Sequence, residues 1–98
     1  MSKNKDNISI LIVDDDKYIR DMFSQIIKLR GYTAYTAENG KKALEILSKN
    51  RVNIVLADMK MPEMDGMQLL KEVKKKYPEL DVIVITGYGS VNDAVWCN

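Results

Sequence analysis

Four short apolar runs alternate along the chain with segments of helical period. The runs are Ile8 to Val13, Tyr32 to Thr36, Ile54 to Ala57 and Val82 to Ile85. Three of them hold continuous aliphatic stretches, Ile10-Leu11-Ile12-Val13, Ile54-Val55-Leu56-Ala57 and Val82-Ile83-Val84-Ile85. That is the pattern of strands buried on both faces of a parallel sheet. Between the first two runs, Ile19, Met22, Phe23, Ile26 and Ile27 recur at i, i+3, i+4, i+7 and i+8. This spacing predicts an amphipathic helix, and Gly31 suits its C′ position. Ala43, Leu44 and Leu47 mark a second helix behind the turn Ala37-Glu38-Asn39-Gly40, with Asn39 as its cap. Leu69, Leu70 and Val73 mark a third behind Asp65-Gly66, where Asp65 is the N-cap, and Pro78 ends that unit. Its lysines, Lys71, Lys74, Lys75 and Lys76, read as a solvated face. Ser90-Val91-Asn92-Asp93 has the form of a capping box opening a fourth helix.

The order β-α-β-α-β-α-β-α implies right-handed crossovers and a parallel sheet. The expected architecture is α/β, a flavodoxin-like doubly wound sheet with strand order 2-1-3-4. No repeat, linker or low-complexity stretch interrupts it, so residues 1–98 read as a single domain. In this arrangement Val82–Ile85 is the outer edge, apolar on both faces and without charge or proline. Edges of that kind invite pairing. The isolated chain is therefore expected to self-associate, as a homodimer through fourth strands or by exchange of elements.

Composition narrows the chemistry. The 98 residues carry a net charge of +1, so bulk electrostatics point neither to nucleic acid nor to an anionic membrane. No apolar run approaches the ~20 residues of a membrane span. The one cysteine, Cys97, fits a reducing compartment, and a cytoplasmic location is expected. There is no histidine. Any metal must then be held by oxygen, as Mg²⁺, Mn²⁺ or Ca²⁺ are.

Three apolar runs end in polar residues at equivalent places: Asp14-Asp15 after the first, Asp58 after the third and Thr86 after the fourth. Strands 1, 3 and 4 are neighbours in the expected order, and open α/β sheets bind ligands at the carboxyl ends of their strands. Carboxylates converging there would repel one another unless a cation sits among them. Mg²⁺ fits best, since it takes one or two carboxylates and keeps waters and a phosphate oxygen. A metal, a carboxylate nucleophile and an anion-binding hydroxyl together make a phosphoryl-transfer site. Each residue alone also has a local reading. Asp14-Asp15-Asp16 can cap the first helix, Asp58 can cap its loop, and Thr86 can be a β-branched strand residue.

The stretches Ile10-Leu11-Ile12-Val13-Asp14-Asp15-Asp16, Ala37-Glu38-Asn39-Gly40, Ala57-Asp58-Met59-Lys60-Met61-Pro62-Glu63-Met64-Asp65-Gly66 and Ile85-Thr86-Gly87-Tyr88-Gly89 resemble the receiver domain of two-component response regulators. From Ile85 to Val95 the similarity is to receivers attached to sigma-54-dependent transcription activators. The resemblance implies a phosphoprotein of a phosphorelay, with Asp58 as phosphoacceptor for the phosphohistidine of a sensor histidine kinase. Asp15 and Asp58 would bind Mg²⁺ directly, Asp14 mostly through water, and the backbone carbonyl of Lys60 would complete the protein ligands. Thr86 would bond the phosphoryl group and couple it to the fourth helix. The family continues into a fifth strand and helix, with a lysine before a proline and an aromatic switch residue. The sequence ends before these, so the expected sheet lacks its fifth strand and helix, and the domain is expected to be incomplete at the C-terminus.

Two other functions compete. Asp14-x-Asp16 with Thr86 is also similar to haloacid-dehalogenase-type phosphatases, an enzyme reading in which Asp14 is the nucleophile and Asp16 the acid. That pattern wants a threonine where Tyr18 stands. The third reading is a truncated receiver acting only as an interaction module. The receiver reading makes the chain no turnover enzyme, at most a domain with self-directed phosphoryl transfer and hydrolysis, serving an output domain in transcription regulation.

Overall fold

A computed structural model describes residues 8–59, 65–85 and 94–97. Among the described residues, three helices and five strands follow one another: β1 (Ser9–Val13), α1 (Lys17–Leu29), β2 (Thr33–Ala37), α2 (Gly40–Lys49), β3 (Ile54–Asp58), α3 (Gly66–Lys76), β4 (Asp81–Ile85) and β5 (Ala94–Cys97). The parallel part of the sheet has the expected order β2-β1-β3-β4, and β5 adds to β4.

The strands sit in a register that sorts their side chains. Leu11 lies beside Tyr35 and Val55, and Val55 beside Val82. Val13 aligns in the same way with Ala37 and Ala57, and Ala57 with Val84. These residues share one face, and α2 and α3 cover it with Ala43, Leu47, Leu69, Leu70 and Val73 to form the main core. The alternate positions Ile12, Leu56 and Ile83 face the other way. Ile12 is only 2% exposed there, and α1 packs against β1 and β2 on that side.

The helix ends follow their sequence signals. Asp16, Asn39 and Asp65 are the three N-caps, and each accepts backbone N–H groups of its own first turn. Asp65 and Gln68 form a reciprocal capping box. Gly31 has φ 89°, the left-handed C′ position that glycine adopts at low cost. Its N–H donates to Lys28 O at 3.0 Å, and that of Tyr32 to Ile27 O at 3.2 Å, which completes a Schellman closure of α1. The Tyr32 amide thus belongs to the helix end, and β2 starts one residue later than the apolar run suggested.

Two expectations are corrected at the far edge. Residues 94–97 are a strand, not part of a fourth helix, and Ser90 to Asp93 lie outside the described residues. This strand runs antiparallel to β4, with Val82 opposite Cys97, Ile83 opposite Trp96, Val84 opposite Val95 and Ile85 opposite Ala94. β4 is therefore not the outer edge. Val95 and Trp96 are β-prone residue types, and the unpaired amides and carbonyls of an apolar strand favour a local partner over water.

Candidate functional site

The strand ends bring together the carboxylates that the apolar runs introduce. Asp14 follows β1 directly and Asp58 is the last residue of β3, its neighbour in the sheet. Asp14, Asp15 and Asp58 each offer a carboxylate oxygen, and these oxygens lie within 4.8 Å of one another. Asp14 and Asp58 are half-buried, whereas Asp15 is exposed. A cavity of about 570 Å³ opens beside them along the strands, lined also by Ile12, Phe23 and Leu56.

Each carboxylate has a backbone reason for its place. The Asp14 N–H donates to Ala37 O at 3.1 Å, which ties the end of β1 to the end of β2. The Asp16 N–H donates to Asp14 Oδ1 at 2.9 Å. Asp16 turns its own carboxylate to the helix, accepting from the amides of Tyr18 at 2.9 Å and Ile19 at 3.4 Å. The acidic triplet therefore divides its work: Asp16 caps α1, while Asp14 and Asp15 join the cluster. A proton-donating role for Asp16 beside Asp14, as a phosphatase would need, conflicts with that capping geometry.

The end of β3 is held from two sides. Met59 N–H donates to Ile85 O at 2.8 Å, and Gly66 N–H to Met59 O at 3.0 Å. A Cβ on Gly66 would lie 2.6 Å from Asp58 O and 2.9 Å from Met59 Cα. Glycine is required here by the close approach of α3 to the Asp58 backbone, a reason beyond the turn its sequence context suggested.

Burial raises the Asp14 carboxyl above its ordinary range; the Asp16 amide opposes this, and the charges of Asp58, Asp15 and Asp16 push the same way as burial. A set of hard oxygen donors with crowded negative charge suits a small divalent cation. Lys60 and Thr86, the other two residues expected at the site, lie outside the described residues. A residue that sequence reasoning missed is Arg20, whose Nη1 donates to Asp14 O at 2.8 Å. Its signal was a cation near the N-terminus of α1, where the helix dipole favours acids.

A doubly wound α/β domain with an acidic cluster at the carboxyl ends of its first and third strands is the class that the fold and site define. The response regulator receiver domain matches residues 10–97, and the chain belongs to that family. It is 42% identical over 86 residues to the sporulation initiation phosphotransferase F of Bacillus subtilis, covering 88% of this chain and 69% of that one. It is 41% identical over 86 residues to the transcriptional regulatory protein GlrR of Escherichia coli. That alignment covers 88% of this chain and 19% of GlrR, so the chain spans about a fifth of that relative's length. Among solved structures, the response regulator TrrA of Thermotoga maritima, in complex with Mg²⁺ and BeF, superposes with a TM-score of 0.79 at 33% identity. The match covers 84% of this chain and 71% of TrrA. No helix among the described residues is long and apolar enough to cross a membrane.

Proposed function

We propose that the chain is the phosphoacceptor domain of a two-component pathway, taking a phosphoryl group from a sensor histidine kinase onto Asp58. The convergence of the Asp14, Asp15 and Asp58 carboxylates within 4.8 Å supports this reading above any other observation. An Asp58 oxygen attacks phosphorus, the phosphorus–nitrogen bond of the phosphohistidine breaks, and the imidazole leaves with the electron pair. Asp14, Asp15, Asp58 and the carbonyl of Lys60 would hold Mg²⁺, which supplies the positive charge that screens carboxylate from phosphoryl oxygens. The backbone pinned at Met59, the residue after Asp58, keeps the Asp58 carboxylate at the rim. Thr86 would donate its hydroxyl to a phosphoryl oxygen. In this reading the domain works in the cytoplasm and turns over no substrate beyond its own phosphoryl group.

The signal would pass to an output domain. GlrR and NtrC of Escherichia coli are transcriptional regulators, and the chain matches 19% and 18% of their lengths. A sigma-54-type activator is the output we favour, on the similarity from Ile85 to Val95. A homodimer joined by fourth strands would require β5 to leave the β4 edge.

Incubation with acetyl phosphate and Mg²⁺, followed by mass spectrometry, tests the assignment. The expected product is one hydroxylamine-sensitive phosphate on Asp58, abolished in Asp58→Asn and retained in Asp16→Asn. Modification at Asp14 would favour the phosphatase-like chemistry, and no modification would leave a module that only binds partners.

A further inference from the structure

We infer that Arg20 is a positioning residue for the acidic site, holding the peptide plane that presents Asp15 to a divalent cation. This rests on the metal-site reading proposed above.

The Arg20 guanidinium donates to the main-chain carbonyl of Asp14 at 2.8 Å, in a partly buried position. That carbonyl belongs to the peptide linking Asp14 to Asp15. A peptide unit is planar, so fixing its oxygen also fixes the direction in which the chain enters Asp15. Asp14 is held by further bonds, through its N–H to Ala37 O and through Oδ1 from the Asp16 amide. Asp15 is exposed, and the plane leading into it is the one that Arg20 grips.

The placement costs something that its role explains. A cation so near the start of a helix opposes the macrodipole. The adjacent acid, Asp21, is ion-paired with Lys17 at 2.8 Å. The Arg20 guanidinium meets a neutral carbonyl rather than a carboxylate, so what it supplies here is geometry, through a charge-assisted bond.

Geometry matters unequally to different cations. Mg²⁺ demands near-ideal octahedral coordination at about 2.0–2.1 Å, whereas Ca²⁺ accepts a looser shell. A loosened Asp14–Asp15 turn should therefore damage Mg²⁺ binding more than Ca²⁺ binding. A residue that only stabilises the fold would leave the ratio of the two affinities unchanged.

The test is titration of the purified chain with MgCl₂ and, separately, CaCl₂, followed by amide chemical shifts well below the melting temperature. Arg20→Met keeps the aliphatic stem and removes the donor. It should lose on the order of tenfold in Mg²⁺ affinity, the usual scale for outer-shell partners, and distinctly less for Ca²⁺. Arg20→Lys keeps a cation on a stem one bond shorter, and should fall between Met and wild type. If Arg20→Met does not fold, the lysine variant decides: a lowered Mg²⁺-to-Ca²⁺ ratio supports the role and a wild-type ratio overturns it. Unchanged Mg²⁺ binding in Arg20→Met, or equal losses for both ions, also overturns it. Wild-type protein that binds no Mg²⁺ would instead strike the site reading itself, and the inference with it.

Discussion

Asp14 is the residue where folding and function pull against each other. Its carboxyl sits above the ordinary range because burial disfavours the anion and Asp58, Asp15 and Asp16 add like charge. A carboxyl raised in the folded state contributes stability below its unfolded pKa of about 3.9 and loses it as pH rises through the folded value. At neutral pH its ionisation is thus a burden on the metal-free fold. Asp14→Asn removes the charge and keeps an oxygen for the Asp16 amide. It should be more stable than wild type at pH 7 by about 1 kcal/mol, the water-screened interaction of two charges ~4 Å apart. The gap should shrink as pH falls through the raised folded value and be closed below about 3.9. It should shrink also in ~10 mM Mg²⁺, which at a roughly millimolar Kd stabilises wild type by ~1.4 kcal/mol. Urea unfolding in the three conditions checks this; a variant no more stable at pH 7 would mean that the carboxylates do not strain the fold. At this scale the sequence was legible where a side chain meets a side chain. Asp14, Asp15 and Asp58 each end or follow an apolar strand, so topology alone converges them. It could not separate Asp16 from its neighbours, because a ligand and an N-cap want the same residue type. Arg20 was hidden because its partner is a backbone carbonyl, to which no residue type corresponds.

Among the elements, α3 shows how tightly a helix is docked to the strand that carries the nucleophile candidate. Its N-terminus meets the end of β3 at Gly66, where a methyl group would lie 2.6 Å from Asp58 O. Neither that carbonyl nor Met59 Cα can swing aside as a side chain could. Alanine is a better helix former than glycine by up to about 1 kcal/mol, but overpacking typically costs ~1–3 kcal/mol. The clash should win. Gly66→Ala is expected to lower stability by about 1–2 kcal/mol and to weaken Mg²⁺ binding by moving Asp58. Chemical denaturation and a metal titration on the same variant check both halves; wild-type stability would show that the β3–α3 junction yields. The three helices were readable because caps are local chemistry. Asn39 and Asp65 were expected where they occur, and Gly31 closes α1 as its place after the apolar stripe implied. The strand Ala94–Cys97 was not readable. Its neighbouring letters spell a capping box, while its own are β-prone, and an apolar strand elsewhere in the chain decided between them.

At the level of the whole molecule, the sheet is finished by that short strand. β5 pairs antiparallel with β4 along Val82 to Ile85. The apolar strand whose exposure would drive self-association is thus covered from within the same chain. The new edge is only Ala94–Cys97, and very short edge strands are one way proteins avoid edge-to-edge pairing. Val95 lies opposite Val84 in the middle of the pairing. Proline there removes a backbone donor and fixes φ near −65°, and a ladder tolerates neither well. Val95→Pro should therefore release β5 and present β4 as an open edge to a second copy. In sedimentation at micromolar concentration, wild type is expected to remain monomeric, and Val95→Pro to shift toward dimer or larger species as concentration rises. Metal binding at Asp14, Asp15 and Asp58 should persist in the variant, because Asp14 and Asp15 follow β1 and Asp58 ends β3, and β4 separates both strands from β5. A monomeric Val95→Pro protein would show that β4 needs no cover. A wild type that self-associates equally would show that association runs through another surface.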